Sequence, residues 1–195
     1  MSKFLYSLPE LPHFAEYVTQ PGLFTPEEIQ QIRGYYDSTP HEEGVLARPT
    51  APGERNIRMS TVAMLLPGPE HHWVFERIAR WAYQVNHQYF GFDLQGLNEG
   101  LQLAHYGAGD YFDWHLDFGP NHNSTRKLSV TVQIADPTEY EGGNLEFFIN
   151  GQSHVMPRDL GTAVLFPSFI QHRVTPITQG SRYSLVGWVN GTPFR

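Results

Sequence analysis

The apolar positions of this chain keep a helical rhythm in its first half and a strand rhythm from about residue 98 onward. Val74, Ile78, Trp81 and Val85 fall at intervals of four, three and four, which makes one apolar stripe on a helix of about 70–90. A stripe of that width suits a helix lying on a sheet and leaves His71, His72 and His87 at the surface. Thr25-Pro26-Glu27-Glu28 reads as a capping box with proline at the first helical position, so a second helix is predicted from there to about Asp37. Residues 1–24 read as an irregular or single-strand lead-in. Residues 38–58, with Pro40, Pro49, Pro52 and Gly53, read as a loop, and a loop this long in a compact domain is functional or disordered.

Beyond residue 98 the apolar runs shorten and turn signals separate them. Strands are predicted at about 100–106, 111–117, 127–135, 144–149, 153–156, 162–166, 171–175 and 181–189. Asp136-Pro137, Glu141-Gly142-Gly143, Asn150-Gly151 and Gln179-Gly180 punctuate them. Short strands following two helices predict a mainly β fold, a double-stranded β-helix or jelly roll braced by N-terminal helices. Neither a repeat nor a linker divides it, so one domain is expected over 1–195, with 1–98 as helical support and loops and 99–190 as the jelly-roll core.

Composition narrows the function. Ten His, no Cys and a formal charge of −7 leave His and carboxylates as the only strong metal ligands and argue against nonspecific binding to nucleic acid or an anionic membrane. The aromatic share of 14% and the 18 Gly and 15 Pro, scattered without period, fit a turn-rich globular protein. The N-terminal residues lack the apolar run of a signal peptide, and no segment approaches a membrane span, so a soluble cytoplasmic protein is expected.

His115 and Asp117 are two apart, so on one strand they face the same way, about 6.5–7 Å apart along the backbone. A lone His-x-Asp is a weak signal. His172 completes a two-His, one-carboxylate set, the facial triad that holds Fe(II) and leaves positions open. If the last two strands pair as a hairpin, Arg182 joins His172 in the interior, where a guanidinium needs an anion. In strand 127–135, Leu128, Val130, Val132 and Ile134 occupy one face and Ser129, Thr131 and Gln133 the other. The ordinary reading puts that polar face in solvent; in a barrel wall it would line a hydrated pocket. Arg48, Arg55 and Arg58 read as solvated surface residues, with attraction of an anionic substrate as the alternative. Trp114 and Trp188 read as packing residues.

Three blocks carry a resemblance. Leu101 to Asp117 is similar to a Tyr-x-x-Gly-x-x-Tyr-x-x-His-x-Asp motif, matched at Tyr106, Gly109, His115 and Asp117, with Phe112 where the second Tyr is usual. Arg126 to Leu145 ends in Tyr140-Glu141-Gly142-Gly143-Asn144-Leu145. Leu165-Phe166-Pro167-Ser168 is followed by His172 and then Gly180-Ser181-Arg182. Together, over about half the chain, they resemble the Fe(II)- and 2-oxoglutarate-dependent dioxygenases, in the prolyl 4-hydroxylase-like and PKHD-type branches.

The resemblance implies Fe(II) on His115, Asp117 and His172, and Arg182 paired with the distal carboxylate of 2-oxoglutarate. It implies further cosubstrate contacts from Tyr106, Ser184, Thr131 and Gln133. Two departures bear on substrate: Arg182 stands where many prolyl 4-hydroxylases have Lys, and Gln133 where several relatives have Tyr. The implied cofactors are Fe(II), 2-oxoglutarate and O₂, with ascorbate as an optional reductant. The implied reaction hydroxylates an unactivated C–H bond of a peptidyl or free amino acid, prolyl or lysyl in type, with release of succinate and CO₂. Small molecules or peptides are the expected partners, with residues 38–58 and 118–125 as candidate lids. A binding module of the same fold, or a cupin-like metalloprotein, is the alternative.

Overall fold

The computed structural model describes residues 14–44 and 56–193, so Arg48 and Arg55 lie outside the described residues. Two antiparallel sheets face each other. The larger runs Val18–Gln20, Ala163–Pro167, Arg126–Gln133, Arg182–Gly191, Leu101–Tyr106, Thr61–Leu65 and His41–Glu43, with Leu94–Gly96 paired to the end of Arg182–Gly191. The smaller runs Gln152–Val155, Leu145–Ile149, Gln171–Val174, Tyr111–His115 and Arg58–Met59. A two-stranded ribbon, Ile177–Gly180 with Tyr140–Gly142, closes one side. This is the jelly roll that the strand rhythm predicts.

Both helices form where their chemistry places them. Pro26–Ser38 starts at Thr25, whose side-chain oxygen accepts from the Glu28 amide while the Glu28 carboxylate accepts from the Thr25 amide. His72–Val85 buries Val74, Ile78, Trp81 and Val85, and one π-helical turn, Asn86–Phe90, continues it. These residues share one core with Ile29 and Ile32 of the first helix and with Leu128, Val130, Val132, Leu185 and Val189 of the larger sheet. Among the described residues no helix is long and apolar enough to cross a membrane.

Helices cover one face of the larger sheet and the smaller sheet covers the other, so its central strands are buried on both sides. This overturns the solvent reading of the polar face of Arg126–Gln133. Ser129, Thr131 and Gln133 are buried, because they face the gap between the sheets.

Two further expectations change. The strand Tyr111–His115 ends before Asp117, which is therefore positioned by tertiary contacts instead of by the pleat. Gln171–Val174 and Arg182–Gly191 do not form a hairpin; the first pairs in the smaller sheet and the second in the larger, with Ile177–Gly180 between them. Several strands escape the sequence pattern. Thr61–Leu65 carries no alternation because it is covered on both faces, and Tyr140–Gly142 and Ile177–Gly180 are short and glycine-bearing.

Ile78 is fully buried where the second helix meets the sheet. Ile78→Ala should cost about 2–5 kcal/mol in urea unfolding, and a loss under about 1 kcal/mol would show that this contact is peripheral.

Candidate metal centre

His115, Asp117 and His172 converge. One ligand atom from each lies within 4.8 Å of the others, and all three side chains are buried. His115 and His172 are direct cross-strand partners in the smaller sheet. The Nδ1 of His115 lies 2.8 Å from the carbonyl of Asp113, and that of His172 lies 2.9 Å from the carbonyl of Ile170. A carbonyl only accepts, so both Nδ1 atoms carry the proton and both Nε2 lone pairs remain for a metal.

Asp117, one step beyond its strand, is held by another set of contacts. Its amide and that of Phe118 both donate to the carbonyl of Ser168, at 3.1 and 2.9 Å. Ser129 Oγ donates to Asp117 Oδ2 at 2.6 Å and lies 3.0 Å from Ser168 Oγ. The carboxylate then stands 3.8 Å from His115 Nε2 through Oδ1 and 3.5 Å from His172 Nε2 through Oδ2. Phe112 stacks on the His115 ring at 3.4 Å between centroids, and Phe166 meets His172 edge-on at 4.9 Å.

Burial pushes the His115 imidazole down to about 3, with His172 acting in the same direction. Burial alone would raise the Asp117 carboxyl; the facing His172 and His115 and the Ser129 hydroxyl outweigh it and keep the carboxyl below its ordinary value. His115 is therefore neutral and Asp117 ionised at neutral pH, the protonation states that bind a divalent cation.

A cavity of about 280 Å³ opens over the triad, lined also by Tyr106, Thr131, Arg182 and Ser184. Arg182 comes from the opposite sheet and is 1% exposed. Its Nη1 donates to Ser184 Oγ at 3.2 Å and its Nη2 to Gln133 Oε1 at 3.0 Å. Its Nε is buried without a hydrogen-bond partner, and none of the ion pairs among the described residues involves it. A buried guanidinium with an orphan donor is costly unless an anion completes it, and a carboxylate in the cavity would do so. Gln133 is not part of the cavity lining; it stands behind Arg182 and orients it.

Gly143 packs against that arginine with φ +61°. A Cβ there would meet Ile177 Cδ1 and would lie 3.1 Å from Arg182 Cδ. Gly143 is thus a steric seat for the Arg182 side chain as well as part of a turn.

Sequence reasoning did not find every lining residue. Trp188, read as packing, lies in the wall beneath the Arg126 guanidinium, 3.7 Å from its ring centroid. Gln102 and Leu145 give no local signal, since only the sheet pairing turns them inward. His122 and Asn123, in the candidate lid 118–125, reach the cavity. Arg58, read as a surface residue, lines it too.

Two outcomes follow from this geometry. The unfolded chain takes up a proton at His115 near pH 6.5, whereas the fold resists protonation to about 3. Stability of the metal-free protein should therefore fall as pH drops below 6.5, by about 2 kcal/mol at pH 5. Urea midpoints at pH 7 and 5 for chelator-treated wild type and His115→Gln check this, and equal pH slopes would refute it. Gly143→Ala should displace Arg182 and weaken carboxylate binding at least about tenfold, while the triad still binds metal. Unchanged 2-oxoglutarate affinity by calorimetry would remove Gly143 from that role.

Comparison with known proteins agrees with the geometry. A sequence profile of the 2OG-Fe(II) oxygenase superfamily matches residues 101–190. A PKHD-type hydroxylase of Synechococcus sp. (strain CC9605) is 36% identical over 99 residues, 50% of this chain and 45% of that relative. One from Pseudomonas paraeruginosa is 27% identical over 179 residues, covering 86% and 75%. The match spans less than half the length of the Synechococcus relatives, 45% and 37% in two strains. Among solved structures, a Pseudomonas putida prolyl-4-hydroxylase superposes with TM-score 0.70 at 19% identity, over 91% of this chain and 93% of that one. A Trichoplax adhaerens prolyl hydroxylase, solved with a hypoxia inducible factor oxygen degradation domain peptide fragment, gives 0.73 at 18%, over 90% and 84%. Residues 101–190, which contain the whole triad and Arg182, are thus similar to the 2OG-Fe(II) oxygenase superfamily, and Fe(II), 2-oxoglutarate and O₂ are the cofactors this similarity implies.

Proposed function

We propose that this protein is an Fe(II)- and 2-oxoglutarate-dependent dioxygenase that hydroxylates an unactivated C–H bond of a peptidyl or free amino acid. The observation that carries the reading is the pairing of a buried two-His, one-carboxylate triad with a buried arginine whose Nε has no partner. A metal site alone would not need that arginine. A cosubstrate with a carboxylate at each end needs both.

His115 and His172 would bind iron through Nε2 and Asp117 through its carboxylate. Arg182, steadied by Gln133 and seated on Gly143, would hold the far carboxylate of 2-oxoglutarate, with the Ser184 hydroxyl beside it. Tyr106 and Thr131 would line the cosubstrate's path. Together Fe(II), 2-oxoglutarate and O₂ supply the oxidising power: one oxygen atom goes to succinate as CO₂ leaves, and the other to the substrate carbon. The protein's part is orientation and exclusion of water, and the aromatic packing of Phe112 and Phe166 on the two ligand rings serves both. The prolyl hydroxylases among the structural neighbours, one of them solved with a peptide fragment, support an amino acid residue as substrate.

Anaerobic titration with Fe(II) and 2-oxoglutarate should produce a metal-to-ligand charge-transfer band, and O₂ should then yield succinate. Asp117→Ala should abolish iron-dependent turnover. Arg182→Ala should raise the 2-oxoglutarate requirement at least about tenfold, the loss of a charge-assisted pair. Wild-type protein that gives neither band nor succinate with any amino acid or peptide tried would sink the reading.

A further inference from the structure

We propose that the substrate carries a carboxylate of its own, and that Arg58 receives it. The inference rests on the dioxygenase reading and asks what that reading leaves unbalanced.

Arg58 opens the edge strand Arg58–Met59 and pairs in register with Phe112 of Tyr111–His115. Its side chain is half-buried and lines the same cavity as the triad. The guanidinium lies 4.8 Å from the centroid of the Phe112 ring, and Phe112 in turn stacks on His115 at 3.4 Å. Only the Phe112 ring therefore separates Arg58 from a metal ligand.

Its present contacts do not satisfy it. Nε donates to Ser60 Oγ at 2.8 Å, but Nη1 and Nη2 both reach the same acceptor, Gln102 Oε1, and both at 3.4 Å. None of the ion pairs among the described residues involves Arg58. Arg126, the other arginine near the mouth, is different: its Nε and Nη2 meet the two oxygens of Glu99 at 2.9 and 2.5 Å. Of these two arginines, Arg126 is neutralised by the fold, and Arg58 presents two long, shared bonds that a carboxylate would improve.

Charge balance points the same way. The two positive charges of Fe(II) and the one of Arg182 are matched by Asp117 and the two carboxylates of 2-oxoglutarate. Among the described residues Asp117 is the only acid lining the cavity, so the loaded centre is neutral and Arg58 is left as an uncompensated cation facing the substrate. A neutral or cationic substrate would leave that charge without a partner at its half-buried position. A substrate with a carboxylate would pair with it bidentately, with Gln102 as a further donor through its amide nitrogen. Such a carboxylate is the α-carboxylate of a free amino acid or of the last residue of a peptide.

The test uses full-length protein loaded anaerobically with Fe(II) and 2-oxoglutarate, and reads perturbation of the charge-transfer band. The probes are the standard L-amino acids in three forms: free acid, N-acetyl acid (standing for a peptide C-terminus) and amide. Forms that keep the carboxylate should bind at least about tenfold more tightly than the matched amide. Response to the free acid alone assigns a free amino acid, and response to both acids assigns a peptide C-terminus. In Arg58→Gln the acid-to-amide ratio should collapse towards one, and in Arg58→Lys it should recover in part. Absence of the band in wild type overturns the dioxygenase reading and this proposal with it. A normal band with equal acid and amide binding in wild type, or an undiminished ratio in Arg58→Gln, overturns the carboxylate proposal alone. Because the wild-type ratio decides by itself, a misfolded variant does not rescue the idea.

Discussion

Ionisable groups buried between two sheets are the constraint on which this structure depends. A guanidinium, a carboxylate and two imidazoles occupy a gap where each would be costly alone. The fold lowers that cost by making every approach specific. Burial holds the His115 imidazole neutral, backbone carbonyls aim both rings, the carboxylate is gripped by Ser129 and clamped through Ser168, and the arginine is braced by Gln133 and Ser184. The Nε of Arg182, which remains unsatisfied among these groups, is then informative.

The division of labour between the sheets follows from this. The larger sheet supplies the anion-facing side, with Arg182 and Ser184 on its central strand, and its opposite face is welded to the helices by Leu185 and Val189. The smaller sheet supplies the two imidazoles as a cross-strand pair. The triad therefore spans a strand, the segment after it and a second strand. Its geometry is set by how the sheets pack and not by any one element. Ser168, between the strands Ala163–Pro167 and Gln171–Val174, fastens Asp117 and so ties the two sheets together at the metal end.

Much of this was legible in the chain. The capping box at Thr25 and the stripe from Val74 to Val85 work through local hydrogen bonding and periodic burial, and both appear where their residues put them. The turn residues that separate the strands act over a few positions and were equally readable. Thr61–Leu65 was not, because burial on both faces erases alternation. The polar face of Arg126–Gln133 was misread for a related reason: Ser129, Thr131 and Gln133 look solvent-facing until a second sheet covers them.

The sequence alone determined which groups were available. Without cysteine, His and carboxylate had to carry any strong metal site, and the order of His115, Asp117, His172 and Arg182 within recognisable blocks named a family. Only the tertiary structure decided how those groups meet. It placed Arg182 opposite His172 across a cavity instead of beside it on a hairpin, took Asp117 off the strand that carries His115, and turned Arg58 from the surface inward. The reason is physical. Caps, turns and stripes depend on neighbours a few residues away, whereas the charge and direction of a buried side chain depend on the desolvation and partners that distant strands impose.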